Sequence, residues 1–134
     1  MTYDEYLARE KQTRQRPSDE EHRIQAACVE WFRWAYPLMH HNLFAVPNGG
    51  LRFKATCGKL VAEGVLAGVA DLILLKRNAR YGALLIEIKT PDGRQSPSQR
   101  VWQEYIERDG YRYVICRSLE DFCREVNNYL NDIE

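Results

Sequence analysis

GVADLILLKRNARYGALLIEIK, residues 68–89, is the stretch whose reading decides the fold. Leu72-Ile73-Leu74-Leu75 and Ala83-Leu84-Leu85-Ile86 are short continuous apolar runs, which suit strands buried on both faces. The segment between them, Lys76 to Gly82, is too polar and too short to be anything but a connection. The stretch therefore predicts two adjacent strands, with Asp71 at the head of one and Glu87-Ile88-Lys89 at the tail of the other.

Strand side chains alternate between faces. Ala83, Leu85, Glu87 and Lys89 share one side of the second strand, while Leu84, Ile86 and Ile88 share the other. A buried face is thus extended by charge, and a charge at the edge of a core is costly unless it has a partner or a task. Taken alone, Glu87-x-Lys89 is satisfied as a structural ion pair. Here two acids, Asp71 and Glu87, converge on one lysine. Two carboxylates about 4 Å apart repel by roughly 4 kcal/mol at an effective dielectric near 20. A divalent cation relieves that repulsion, and hard carboxylate oxygens suit Mg²⁺ or Mn²⁺. The pattern points to a metal site.

The chain has 134 residues, enough for one domain with a real core and few for two. Its 45% hydrophobic and 28% charged residues are the composition of an ordinary soluble globular protein. No window approaches the roughly 18 apolar residues that span a bilayer, and the N-terminal segment lacks an apolar signal core, so no membrane role and a cytoplasmic location are expected. Cys28, Cys57, Cys116 and Cys123 show no C-x-x-C spacing and read as reduced thiols rather than zinc ligands. The formal net charge of zero argues against non-specific polyanion binding. The distribution is less even: residues 52–112 hold 11 Lys/Arg against 7 Asp/Glu, and the remainder from 117 is acidic. A phosphate-binding face is permitted, not required.

From the start of the chain, residues 1–17 read as an N-terminal arm with a short, loosely held helix, and 18–134 as a single domain. Pro17-Ser18 marks a helix start with Ser18 as N-cap, and the helix runs to about Tyr36 on a stripe of Ile24, Cys28, Trp31, Phe32 and Ala35. Glu21 and Gln25 continue that stripe backwards. Ser18-x-x-Glu21 is also a capping box, so spacing leaves Glu21 open between cap and site; Gln25 has no such role. Leu43 to Val46 is a short strand, broken by Pro47-Asn48-Gly49-Gly50. With Arg52 and Lys54 following, Asn48, Gly49 and Gly50 form either a plain turn or a phosphate-facing loop. A short helix from about Lys54 to Glu63 ends at Gly64. After Lys89, Ser96-Pro97-Ser98-Gln99 opens a helix as a capping box, with Val101, Trp102, Tyr105 and Ile106 directed inward and Gly110 as its stop. A strand from Tyr111 to Cys116 follows. A last helix opens at Ser118 with Leu119, Phe122, Cys123, Val126 and Leu130 on its apolar face. The order α, β, (α), β, β, α, β, α gives an α/β fold with a mixed central sheet flanked by helices.

Together, Glu21-x-x-x-Gln25, Pro47-Asn48-Gly49-Gly50, Gly68-Val69-Ala70-Asp71, Glu87-Ile88-Lys89, Ser98-Gln99 and Gly110-Tyr111 resemble the VRR-NUC family, a branch of the PD-(D/E)XK nuclease superfamily. The likeness covers roughly residues 18–116 and is to the stand-alone phage and bacterial type. Ala70 departs from the proline usual before the aspartate. The resemblance implies a restriction-endonuclease-like core, with Asp71, Glu87 and the backbone carbonyl of Ile88 as ligands of a divalent ion. Glu21 would line the same site and hold a second ion, which favours its site role over the cap. Lys89 would polarise the attacking water. Gln99 matches the family's glutamine, beside its capping role, and Gln25 is a supporting residue.

The function so implied is a Mg²⁺- or Mn²⁺-dependent, structure-specific DNA endonuclease acting in DNA repair. Its substrate would be branched, Holliday-junction-like DNA, cut by a homodimer that sets one site on each arm. Asn48, Gly49, Gly50, Arg52 and Lys54 are the candidate nucleic-acid contacts, and a bacterial or phage-infected cell is the expected setting. The alternative is a non-catalytic nucleic-acid-binding or assembly module on the same fold. A restriction-type enzyme cutting a fixed sequence ranks lower, because no added recognition element is evident.

Overall fold

A computed structural model describes residues 2–47 and 54–133, those at 5–18 and 54–57 by their backbone. Helix α1 spans Tyr3–Ala35, and a 3-10 turn, Pro37–Asn42, leads into strand β1, Leu43–Ala45. Helix α2, Lys54–Ala62, is followed by β2, Leu72–Leu74, and β3, Leu84–Ile88. Helix α3, Pro97–Arg108, crosses to β4, Arg112–Cys116, and α4, Leu119–Leu130, closes the fold.

Among the described residues the strands form one sheet in the order β1-β2-β3-β4. β1 and β3 flank β2 antiparallel, and β3 pairs with β4 in parallel, as the crossover through α3 requires. The sheet is mixed, as expected. One face is covered by α1 and α4: Leu72, Leu74, Leu84, Ile86, Ile88, Val114 and Cys116 pack with Cys28, Phe32, Phe122, Val126 and Tyr129. The opposite face is smaller, with Ala70, Ala83, Leu85 and Tyr113 under Trp102 and Ile106 of α3. The alternation expected along β3 is therefore observed. No described helix is long and apolar enough to cross a membrane. Cys28 and Cys116 are buried free thiols and Cys123 a part-buried one.

Three local expectations are corrected. The first helix does not begin at Ser18; α1 runs unbroken from Tyr3. The segment before Pro17 lacks glycine and proline and is rich in Arg, Glu and Gln, so helix propensity carries the ladder through Pro17 at the loss of one N–H. With no helix end at Ser18 there is no capping box there, and Glu21 sits inside the helix. On α3, Val101 and Tyr105 are exposed, at 54% and 62%. The inward stripe is Gln99, Trp102, Gln103 and Ile106, at helical spacing but half polar, so counting apolar residues rotates the helix by about one position. On α4, Leu119 is exposed and Tyr129 buried instead.

Candidate active site

The carboxylates meet because of strand register. Leu72 pairs with Ile86, and continuing the antiparallel ladder by one position sets Asp71 opposite Glu87, on the face that carries Ile73 and Leu85. Directly opposite side chains on one face lie close enough to touch. Asp71 Oδ2 accepts a 2.7 Å hydrogen bond from the backbone N–H of Ile88, and its carboxyl is close enough to that of Glu87 for the two to act on each other electrostatically. In the parallel ladder the amide of Lys89 donates to the Cys116 carbonyl, so the backbone groups of Ile88 face β2 and Asp71. The Ile88 side chain is in the core, leaving its carbonyl on the side of the two acids.

Glu87 is 2% exposed, yet both its oxygens are engaged. Gln99 Nε2 donates to Oε1 at 3.0 Å and the Tyr113 hydroxyl to Oε2 at 3.1 Å. Gln99 also completes the α3 capping box: its Oε1 accepts from the Ser96 amide at 2.7 Å while the Ser96 hydroxyl accepts from the Gln99 amide at 3.2 Å. One side chain thus caps α3 and touches Glu87. Gly68, with φ +90°, makes this docking possible. A Cβ there would lie 2.6 Å from the Ser98 carbonyl, so only glycine lets the loop before Asp71 press on the first turn of α3.

Lys89 Nζ stands 4.0 Å from Glu87 Oε1, a loose approach that leaves the acid pair under-compensated. Burial above all, then the charge and hydrogen bond of Asp71, push the Glu87 carboxyl well above the ordinary range, against opposing pulls from Lys89 and Tyr113. From α1, Glu21 is within electrostatic reach of both Lys89 and Asp71. Burial raises its carboxyl, Lys89 lowers it, and Asp71 and Glu20 raise it further. Gln25, one turn along, is part-buried and makes no hydrogen bond to these carboxylates among the described residues. Asn48, Gly49, Gly50 and Arg52 lie outside the described residues, and Lys54 is described as the backbone start of α2.

Two neighbours were not anticipated from the sequence. Tyr113 projects from β4 beside Glu87, and Arg117 donates Nη1 to the carbonyls of Thr90 at 2.8 Å and Gly93 at 2.6 Å, clasping the turn that follows Lys89. A cleft of about 420 Å³ opens at the other end of β3 and β4, between Arg80, Arg112 and Tyr129, and contains none of the site residues. Among the described residues no set of three or more His, Cys, Asp or Glu side chains forms a ready-made metal cage. Mg²⁺ asks for less, since it is held by one or two carboxylates and keeps several waters. The donor set fits such an ion: hard oxygens from two adjacent carboxyls and a main-chain carbonyl, with the Lys89 amine 4.0 Å from Glu87.

The family model of the VRR-NUC domain matches residues 9–120. Among solved structures, a VRR-NUC domain protein is similar, with a TM-score of 0.72 and 22% identity over 83% of this chain and 88% of that one. No curated protein matches. The likeness of structure establishes the fold as a restriction-endonuclease-like α/β core.

Proposed function

The chain belongs to the VRR-NUC domain family, a family of nucleases, and from that premise we propose that it is a divalent-metal-dependent, structure-specific DNA endonuclease. The observation that carries the reading is the Asp71–Glu87 pair, set opposite one another by strand register, with Glu87 buried, Asp71 part-buried and Lys89 4.0 Å from Glu87. Asp71, Glu87 and the Ile88 carbonyl would hold Mg²⁺ or Mn²⁺, with Glu21 directed to a second ion. When bound, such an ion lowers the pKa of a water and offsets charge on the scissile phosphate.

The chain's own residues do the rest. Lys89 holds and orients the attacking water with its ammonium group, placed beside the acids by strand alternation. Gln99 ties Glu87 to the start of α3, so the carboxylate keeps its direction when its proton leaves. The reaction is in-line hydrolysis of a phosphodiester without a covalent enzyme intermediate. Asn48, Gly49, Gly50, Arg52 and Lys54 are the proposed DNA contacts, with residues 1–17 as an arm extending α1 from the nuclease domain at 18–134. A homodimer is the form we propose, because a branched, Holliday-junction-like substrate has two strands to cut.

Four-way junction, flap and linear duplex DNA incubated with Mg²⁺ or Mn²⁺ test the reading, with Asp71→Ala as control. We expect cleavage of the branched substrates by the parent and none by the variant. A parent that binds junction DNA but neither takes up Mn²⁺ in calorimetry nor cuts would be the non-catalytic module instead.

A further inference from the structure

Glu87 is gripped from two sides, and one grip has a support of its own. Tyr113 is 5% exposed, its ring set edge-to-face on Trp102 at 6.1 Å, so its hydroxyl has little freedom. The phenol donates to Glu87 Oε2 at 3.1 Å and accepts from Gln95 Nε2 at 3.2 Å. A hydroxyl has one proton to give. With the Gln95 amide donating to its oxygen, that proton is directed at the carboxylate. Gln95 is itself braced, since its Nε2 also reaches Gln103 Oε1 at 2.7 Å, and Gln103 donates in turn to Glu107 on the same helix. The line runs from an exposed side of α3 through the loop before it to one oxygen of the acid, while Gln99 independently holds the other.

Building on the metal site of the proposed function, we infer that Tyr113, oriented by Gln95, is a positioning residue that fixes the Glu87 carboxylate for its divalent ion. A glutamate has three side-chain torsions, and a ligand free to turn must be ordered when the ion binds. Here one donor on each oxygen sets the plane of the carboxylate in advance. Partners behind a metal ligand typically affect metal affinity or activity by about 10- to 100-fold. Tyr113 lies on the same face as Leu85 in the β3–β4 register, two positions back from Glu87 along the strands, so its reach to the acid is built into the sheet.

The test is Mn²⁺ calorimetry on the full chain, read beside cleavage kinetics. Tyr113→Phe keeps the ring and its packing and removes one hydrogen bond. We expect its Kd for Mn²⁺ to rise by about 10-fold, and kcat to fall while KM for DNA stays within about 2-fold. Gln95→Ala should weaken Mn²⁺ in the same direction by less. The double variant should bind no more weakly than Tyr113→Phe alone, because Gln95 acts through the phenol. A merely structural role would lower the melting temperature and leave these affinities alone. Parent-like Mn²⁺ binding by Tyr113→Phe overturns the inference with the metal reading intact, and full additivity of the two substitutions overturns the share given to Gln95. A parent that takes up no Mn²⁺ overturns the metal reading and this inference with it.

Discussion

Leu84, Ile86 and Ile88 differ from Leu85 and Glu87 by one step along the same strand, and they meet opposite surroundings. The first set faces α1 and α4 in a core with no charged member. The second faces α3, in a smaller cluster whose far end turns into an acid pair, Glu87 buried and Asp71 part-buried. The division is physical. A buried carboxylate pair opposes folding in the absence of a counter-ion, and a domain can host it only if most of its stabilisation comes from elsewhere. One face of this sheet supplies that stabilisation and the other holds the acids and the lysine to which the proposed function assigns the chemistry.

Substitutions on the two faces should therefore fail differently. The largest expected effect is on the α3 face: Lys89→Ala should slow cleavage of branched DNA by roughly 10²- to 10⁴-fold. Because Lys89 and Glu87 are largely buried, at 12% and 2% exposed, removing the amine should also cost about 1–3 kcal/mol of stability, so cleavage is compared per folded molecule. A variant that cuts at the parent rate would take the ammonium out of the chemistry. The opposite face should show the converse. Phe122 is fully buried and packs edge-to-face on Trp31 at 5.9 Å. Phe122→Ala should cost about 3–5 kcal/mol in denaturant titration while the folded fraction keeps its Mn²⁺ affinity. A cost below about 1 kcal/mol would deny that this face is the stabilising one.

The contrast was partly legible in the sequence. Period-two alternation in 83–89 separates the faces, and the acids at 71 and 87 with the lysine at 89 mark the polar end, because charge that extends an apolar face is visible without coordinates. Gln99 was legible as well, with two roles that geometry turns out to combine. Tyr113 was not. Its neighbours Val114, Ile115 and Cys116 give it the look of one more core residue, and its approach to Glu87 depends on a parallel register that no local pattern encodes. Gln95 was hidden for the same reason. The inward stripe of α3 differs from the expected one because half of it is glutamine, Gln99 reaching Glu87 and Gln103 reaching Gln95. The continuity of α1 was hidden because Pro17-Ser18 carries a start signal, while the eleven helix-favouring residues among the sixteen before it act only in sum.

Arg117 joins the two regions and should show an intermediate effect. Its backbone amide is held by Asp121 at the start of α4, while its guanidinium clasps the turn after Lys89. Hydrogen bonds from a charged donor are each worth about 1.5–3 kcal/mol. Arg117→Ala should cost about 2 kcal/mol in stability and also slow cleavage in the fraction that remains folded, as the end of β3 loosens. Loss of stability with cleavage untouched would place the arginine wholly with the scaffold.

The smallest effect is a gain, and it probes the acid pair most directly. Burial, and after it the Asp71 carboxyl, hold Glu87 above the ordinary carboxylate range. With the metal removed by EDTA, the folded protein then keeps a proton that the unfolded chain releases. Stability from this group is fully present below its unfolded pKa of about 4.3 and is lost as pH rises above that towards the raised folded value. Glu87→Gln cannot ionise and reproduces the protonated form. In EDTA at pH 8 the variant should be more stable than the parent by on the order of 1 kcal/mol, and the two should converge near pH 4, while Mn²⁺ affinity is lost. The difference between the two proteins isolates Glu87 from other titrating groups, Glu21 among them. Parallel melting curves across that pH span would mean that the acid pair is no burden to the metal-free fold, and the α3 face would then differ from its opposite in composition alone.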